Sequence, residues 1–418
     1  MNKSLLQKIE KTLTIGLLFL LPTQLALHFW PPWSFVFGIR VDILAPSIYL
    51  TDIFIGIIFL INIFINKKLF IQLLNYKIIL ILFLVFGIIN CIFSISFPTS
   101  VFRWLKIIEF AFLAFYFSKQ EIVKFSSIVK IFFYSSILFS LIGIIQFFKS
   151  GTIGGIFYYL GERSFNVGTP GIALVNLAGR QLLRVYSTFP HPNSLAGFLG
   201  VILIFIILSG NLKKNIFNLL GILVMLMCFI LTFSVSSYLG IFLIFSFYFF
   251  SKNIKDIKSL VLGFLFLSIF GSLLLTIFSS TILTTFPLLG QNISQRLDLS
   301  YIAGQIISGK FLIGSGLGTY IINIPFYKGV FVYSWLLQPV HNIYLLVFSE
   351  IGIVGLLSFC LAIYKILKIQ LKKKKMYFLL PLIFILFTGL FDHYTLTLQQ
   401  NTLLFSIFIG LSFHAKMA

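Results

Sequence analysis

Residues 341–376 read HNIYLLVFSEIGIVGLLSFCLAIYKILKIQLKKKKM. An apolar run opens on His341-Asn342 and ends in six lysines between Lys365 and Lys375. A bilayer core takes about 20 apolar residues as one helix, and lysine collects on its cytoplasmic side. This single stretch therefore sets both an element, a transmembrane helix, and its direction, with His341 outside. Gln338-Pro339 precedes it, and proline favours a helix start, so His341 is expected close to the helix N-terminus.

The same composition fills the chain. Of 418 residues, 59% are hydrophobic and only 10% charged, with a mean hydropathy of +1.07. Soluble domains carry about 25% charged residues, which excludes an ordinary water-soluble protein. Apolar runs bounded by charges and prolines give about twelve spans, near 12–29, 43–65, 77–97, 100–118, 125–148, 191–210, 215–233, 236–250, 258–279, 341–364, 376–394 and 400–414. The reading is an all-α polytopic integral membrane protein. Residues 1–190 hold five helices and an outer loop; residues 191–414 hold the rest, including a long outer loop at 280–340. The basic lead (Lys3, Lys8, Lys11) resembles that of a signal peptide, but bulky Trp30-Pro31-Pro32-Trp33 follows in place of a small-x-small site. A retained first span is expected. Cys91, Cys228 and Cys360 each lie in an apolar run without CxxC spacing, which argues against disulfides and zinc.

A net charge of +21 would point to nucleic acid in a soluble protein. With the N-terminus inside and sides alternating, 21 of the 25 lysines fall on the cytoplasmic side. The basic balance is thus a topology signal, both termini are expected in the cytoplasm, and no nucleic-acid partner is implied. The arginines do the opposite: Arg40, Arg103, Arg163, Arg180, Arg184 and Arg296, all six, fall outside. Guanidinium holds phosphate bidentately and tolerates partial burial better than ammonium. The split points to an outer site for a phosphorylated, lipid-borne ligand.

Five polar segments share that outer side. In the tenth span, Gly352 and Gly355 return to within about 20° and 40° of the His341 face at about 100° per residue, admitting a close neighbour or leaving a groove. Glu350 falls on the opposite face, as a satisfied buried group rather than a catalytic acid. Arg296 precedes the turn Gly314-Ser315-Gly316-Leu317-Gly318-Thr319-Tyr320; glycines let backbone amides approach phosphate, although a tight turn alone explains them. Arg184-Val185-Tyr186-Ser187-Thr188-Phe189-Pro190-His191-Pro192-Asn193, Asp392-His393-Tyr394 with Gln399-Gln400, and Ser234-Val235-Ser236-Ser237 complete the set. Each alone is ordinary loop chemistry; their coincidence on one side carries the signal.

Together these residues resemble the O-antigen ligase and polymerase superfamily of bacterial envelope glycosyltransferases. The family's histidine motif, His-(Asn/Ser/Gln)-x9-Gly-x-x-(Gly/Thr/Tyr), is matched by His341-Asn342 and Gly352-Ile353-Val354-Gly355. Arg296 with the glycine turn resembles the family's loop arginine and its neighbourhood, and the likeness covers roughly residues 180–410. The resemblance implies a GT-C-like membrane fold in the inner membrane and an outward-facing site. It also implies a glycan donor on undecaprenyl pyrophosphate and a glycolipid, glycan or protein acceptor. His341 is then the general base, since imidazole titrates near neutral pH. Arg296 and Arg184, with the amides of Gly316 and Gly318, would bind the donor pyrophosphate. Asn342, Gly352, Gly355, Asp392 and His393 are motif or supporting residues.

One departure stands out. The family pattern Thr-x-(Ser/Thr)-Arg at the turn between spans seven and eight reads Thr232-Phe233-Ser234-Val235 here. The arginine is absent, so Arg184 or another outer arginine would have to supply its charge, or the donor has changed, or transfer is lost. Outer carboxylates form no Asp-x-Asp pair, so neither a metal nor a cofactor is expected, and direct displacement would invert the anomeric centre. A polymerase shares donor and chemistry and is left open. A lipid-linked oligosaccharide flippase would need ionisable groups deep in the bundle and related halves; the spans offer few (Asp52, Glu109, Glu350) and no clear repeat.

Overall fold

Leu6, Glu10, Thr14 and Leu17 recur at helical spacing and form the buried face of α1 (Lys3–Phe19). The helix thus begins among the lysines and ends well before residue 29, because Pro22 cannot continue it. Glu10 is not a solvated cytoplasmic charge: it is buried and accepts a hydrogen bond from Asn62 Nδ2 at 2.8 Å. The computed structural model describes residues 3–65, 75–177, 180–212, 215–251, 287–328 and 336–414.

The described helices follow the apolar runs: α2 (Leu50–Ile65), α3 (Lys77–Ile92), α4 (Phe97–Lys119), α5 (Phe125–Lys149), α6 (Pro192–Ser209), α7 (Ile216–Leu231) and α8 (Val235–Ser251). After them come α9 (Pro287–Gly309), α10 (Tyr320–Lys328), α11 (Ile343–Lys373), α12 (Met376–Thr388), the short α13 (Tyr394–Thr397) and α14 (Gln399–Phe413). Of these, α5, α6 and α11 are long and apolar enough to cross a membrane, while α2, α3, α7, α8 and α12 are apolar but shorter. The expected span at 258–279 lies outside the described residues. Apolar side chains on α3 and α7, among them Ile78, Leu82, Ile88, Phe217 and Leu223, are more than half exposed, as suits a protein facing lipid rather than water. The molecule is a mostly helical membrane protein.

An all-α description is too simple for the loops. Among the described residues, three two-stranded antiparallel sheets occur: β1 (Ala26–His28) with β4 (Ser47–Tyr49), β2 (Phe35–Val36) with β3 (Ile39–Arg40), and β5 (Leu174–Leu177) with β6 (Arg180–Leu183). Strands of two to four residues are too short to show a period of two, which is why the sequence hides them.

At the centre, α6, α12 and α14 are buried almost all round, as expected of helices apolar on every face. One core cluster joins Leu17 and Ile55 to Leu199, Phe384 and Phe408, so the parts before and after residue 190 share their packing. Close approach rests on Gly200, where an added Cβ would lie 2.4 Å from the Phe384 ring.

The tenth span is not a regular helix. Gly352 has φ 67° and ψ −172° inside α11, and the turn at 310–318 fits into the break. Ser315 N donates to Ser349 O at 2.9 Å, Gly316 N to Glu350 O at 3.0 Å, and Ile353 N to Phe311 O at 2.8 Å. Asn90, from α3, donates to Ile313 O and Glu350 O and accepts from Leu317 N and Trp104 Nε1. Backbone freed by the break is thereby paired again, the condition for irregular structure in a membrane protein. The helical-wheel alignment of Gly352 and Gly355 beneath His341 therefore does not survive the break. Gly352 admits a turn of backbone rather than a helix or a lipid chain.

Candidate functional site

His341 stands two residues before α11, because Asn342 is the N-cap: its Oδ1 accepts from Tyr344 N at 2.9 Å and Leu345 N at 3.0 Å. Asn342 Nδ2 also donates to Leu390 O, tying the α11 start to the corner after α12. That corner carries Asp392 and His393. His341 Nδ1 lies 3.5 Å from Asp392 Oδ1, its Nε2 is 3.2 Å from Gln338 Oε1, and its ring centroid is 5.2 Å from that of His393.

Asp392 is held from several sides. Asn193 Nδ2 donates to its Oδ2 and the His393 amide to its Oδ1, both at 2.8 Å. Burial alone would raise its pKa. The close approach of His341, with His393 and Arg296 nearby, outweighs that and keeps the carboxyl well below its ordinary 3.8. His393 Nδ1 and the Thr397 hydroxyl share a hydrogen bond of 2.7 Å, and the same hydroxyl lies 3.1 Å from His393 O. His191 caps α6, its Nδ1 accepting from Asn193 N at 3.1 Å.

Burial, only partly offset by Asp392, lowers both His393 and His191 to about 3. Both rings are neutral at pH 7. A histidine titrating near 6.5 when unfolded and near 3 when folded stabilises the fold above pH 6.5, and that stability is lost as pH falls from 6.5 toward 3. Asp392 keeps its own contribution until pH drops below 3.8. Hydrogen exchange, corrected for intrinsic rates, is expected to show residues 388–398 less protected at pH 4.5 than at pH 7; equal protection would contradict the buried neutral pair.

Two arginines reach this cluster. Arg184 donates Nη2–H to Asn193 Oδ1 at 2.6 Å and Nε–H to Thr232 O at 2.7 Å. The second contact puts its guanidinium on the α7–α8 turn, where Val235 replaces the expected arginine and is itself 76% exposed. Arg296, on α9, donates to Phe391 O at 2.7 Å, next to Asp392. Of the remaining arginines, Arg180 lies exposed on β6.

The glycine turn is placed differently from the phosphate cradle its sequence allows. Gly316 N is bonded to Glu350 O, and Gly318 N to Glu350 Oε2 at 2.9 Å. Both amides are engaged within the protein, and Glu350, buried and also accepting from Tyr320 N, serves as a backbone clamp. This is a correction to the donor-binding role expected of Gly316 and Gly318: the amides have found a carboxylate and a carbonyl of this chain instead.

His341, Asp392, His393, His191 and Gln338 line one cavity of about 590 Å³, within the range of small-ligand sites. Residues 394–402 continue that wall, and the opposite wall comes from the first 163 residues, including Trp30, Arg40, Arg103 and Arg163; neither Arg184 nor Arg296 lines the cavity. Its three arginines belong to the set of six that the sequence separates from the lysines, while the hairpins and Trp30 that accompany them carried no sequence signal. Each of His341, Asp392 and His393 also presents one ligand atom within 4.8 Å of the others, so by spacing alone the three could hold a divalent ion.

No curated protein matches the chain. Residues 220–360 match the family model described as O-antigen ligase. That stretch contains the α7–α8 turn, Arg296, the glycine turn, His341, Gly352 and Gly355, while Arg184, Asp392 and His393 lie outside it. Residues 220–360 are thus similar to the O-antigen ligase family, the resemblance that the histidine motif carries in the sequence.

Proposed function

We propose that the protein transfers a glycan from a lipid pyrophosphate, as carried by undecaprenyl, to an acceptor hydroxyl on the outer face of the cytoplasmic membrane. The carrying observation is the convergence of His341, Asp392, Arg184 and Arg296 from four separate segments. In this reading His341 removes the proton of the attacking hydroxyl, and Asp392 stabilises the charge the ring gains. Gln338, at His341 Nε2, marks where that hydroxyl would dock. Arg296 and Arg184 neutralise the pyrophosphate as it leaves. Because Arg184 binds the α7–α8 turn through Thr232 O, it supplies charge where Val235 cannot.

The reaction is an inverting displacement without metal. Proton removal by His341 and arginine stabilisation of the leaving pyrophosphate account for the chemistry. Transfer is expected to proceed unchanged in excess EDTA. Activity lost in EDTA and restored by Mg²⁺ or Zn²⁺ would assign His341, Asp392 and His393 to a metal instead. The transferase reading itself is tested by mixing purified protein with lipid-pyrophosphate glycan and acceptor. Arg184→Gln and Arg296→Gln are each expected to slow transfer by about 10²-fold or more, and unchanged turnover in both would remove the pyrophosphate role.

A further inference from the structure

The cavity has two kinds of wall, and only one belongs to the proposed chemistry. Away from His341 it is built from the β1–β4 and β2–β3 hairpins, α4 and the loop after residue 160, and it presents Trp30, Arg40, Arg103 and Arg163. Arg40 stacks over the Trp30 ring at 4.4 Å, and His28 lies parallel to the same ring at 5.9 Å. Arg103 donates to Ile43 O, and Arg163 donates to Pro190 O at 2.6 Å. A guanidinium has five N–H donors, so one carbonyl apiece leaves most of them unspent. Among the described residues no carboxylate lies within 4 Å of Arg103 or Arg163, and Arg40 has only the exposed Asp42, at 3.6 Å. By contrast Lys106, also in the cavity wall, is neutralised by Asp52 and Glu109.

We infer that this wall is the acceptor subsite and that it takes a glycan bearing carboxylate or phosphate groups. The inference rests on the transferase reading and deepens it. Displacement with inversion brings the nucleophile and the leaving group to opposite sides of the anomeric carbon. Arg184 and Arg296 approach the His341–Asp392 pair without lining the cavity, which leaves the cavity side to the acceptor. The acceptor oxygen forms the new bond to the anomeric carbon, and its proton passes to His341. The old bond to the pyrophosphate oxygen breaks, and its electron pair departs with the lipid pyrophosphate. The three arginines offer planar forks for its acid groups, and Trp30 backs one of them by carrying the Arg40 guanidinium on its ring.

The test is calorimetric titration of the full chain in nanodiscs, without donor, using trigalacturonate, neutral maltotriose and inorganic pyrophosphate as probes. Trigalacturonate is expected to bind about tenfold or more tightly than maltotriose. Arg40→Gln and Arg163→Gln should each weaken it about tenfold, while Arg184→Gln leaves it unchanged. Trp30→Leu, which removes the ring beneath Arg40, should weaken trigalacturonate and leave maltotriose unchanged. Equal binding of the two sugars, or indifference to Arg40→Gln and Arg163→Gln in variants whose melting is unaltered, would overturn the inference. Pyrophosphate binding that falls with Arg40→Gln but holds with Arg184→Gln would overturn it too, by giving the cavity to the donor. Because no transfer is measured, failure here is distinct from failure of the transferase reading, which would instead show as acceptor binding with no product.

Discussion

His341→Ala is expected to lower glycan transfer by ~10²–10⁴-fold, the usual contribution of a positioned general base, while leaving the protein folded. Folding should survive because the helix start does not depend on His341: Asn342 caps α11 and ties it to Leu390. The imidazole itself touches Gln338, Asp392 and His393, and Asp392 keeps its bonds from Asn193 and the His393 amide without it. Asp392→Asn should also slow transfer, since the side chain keeps its shape and loses the charge opposite the ring. Turnover near normal in well-folded His341→Ala would show that another group takes the proton.

Gly352→Ala is expected to act on the fold. With φ 67° and ψ −172°, the residue occupies a region that is essentially glycine-only. A Cβ there would lie 2.3 Å from Leu312 O, a backbone atom that cannot swing aside. Strain and forced displacement each cost about 1–3 kcal/mol, against a total stability of about 5–15 kcal/mol. Displacing the 310–318 turn also unpairs its bonds to Ser349, Glu350 and Ile353. The variant should melt markedly earlier in detergent and lose its monodisperse peak. Gly304→Ala on α9, where an added Cβ meets nothing within 4 Å, is the control and should be neutral or mildly stabilising. Equal behaviour of the two would contradict the break in α11 as described.

Much of this site shows in one dimension because its signals are local or chemical. Proline before His341, an asparagine cap and a lysine-terminated apolar run place the histidine before any packing is known. The separation of arginine from lysine was the other legible feature. Arg184 and Arg296 come to Asp392, and Arg40, Arg103 and Arg163 wall the adjoining cavity. What the sequence conceals depends on distant partners. The amides of Gly316 and Gly318 look available for phosphate until Glu350 is brought against them. Asn90 looks like a stray polar residue in α3, yet all four of its hydrogen-bonding positions are used to seal the α11 break. Glu10 sits among lysines in sequence and is paired with Asn62 in the bundle.

The central claim is that the chain moves a glycan by breaking its bond to lipid pyrophosphate. Purified protein in liposomes, given undecaprenyl-pyrophosphate-linked glycan and candidate acceptors, tests this directly. The prediction is a glycan conjugate with inverted anomeric configuration, formed together with free lipid pyrophosphate and abolished by His341→Ala. A new acceptor conjugate would mark a ligase, and longer lipid-linked chains a polymerase. Glycan that crosses the bilayer still attached to its lipid, with no new glycosidic bond, would contradict the account.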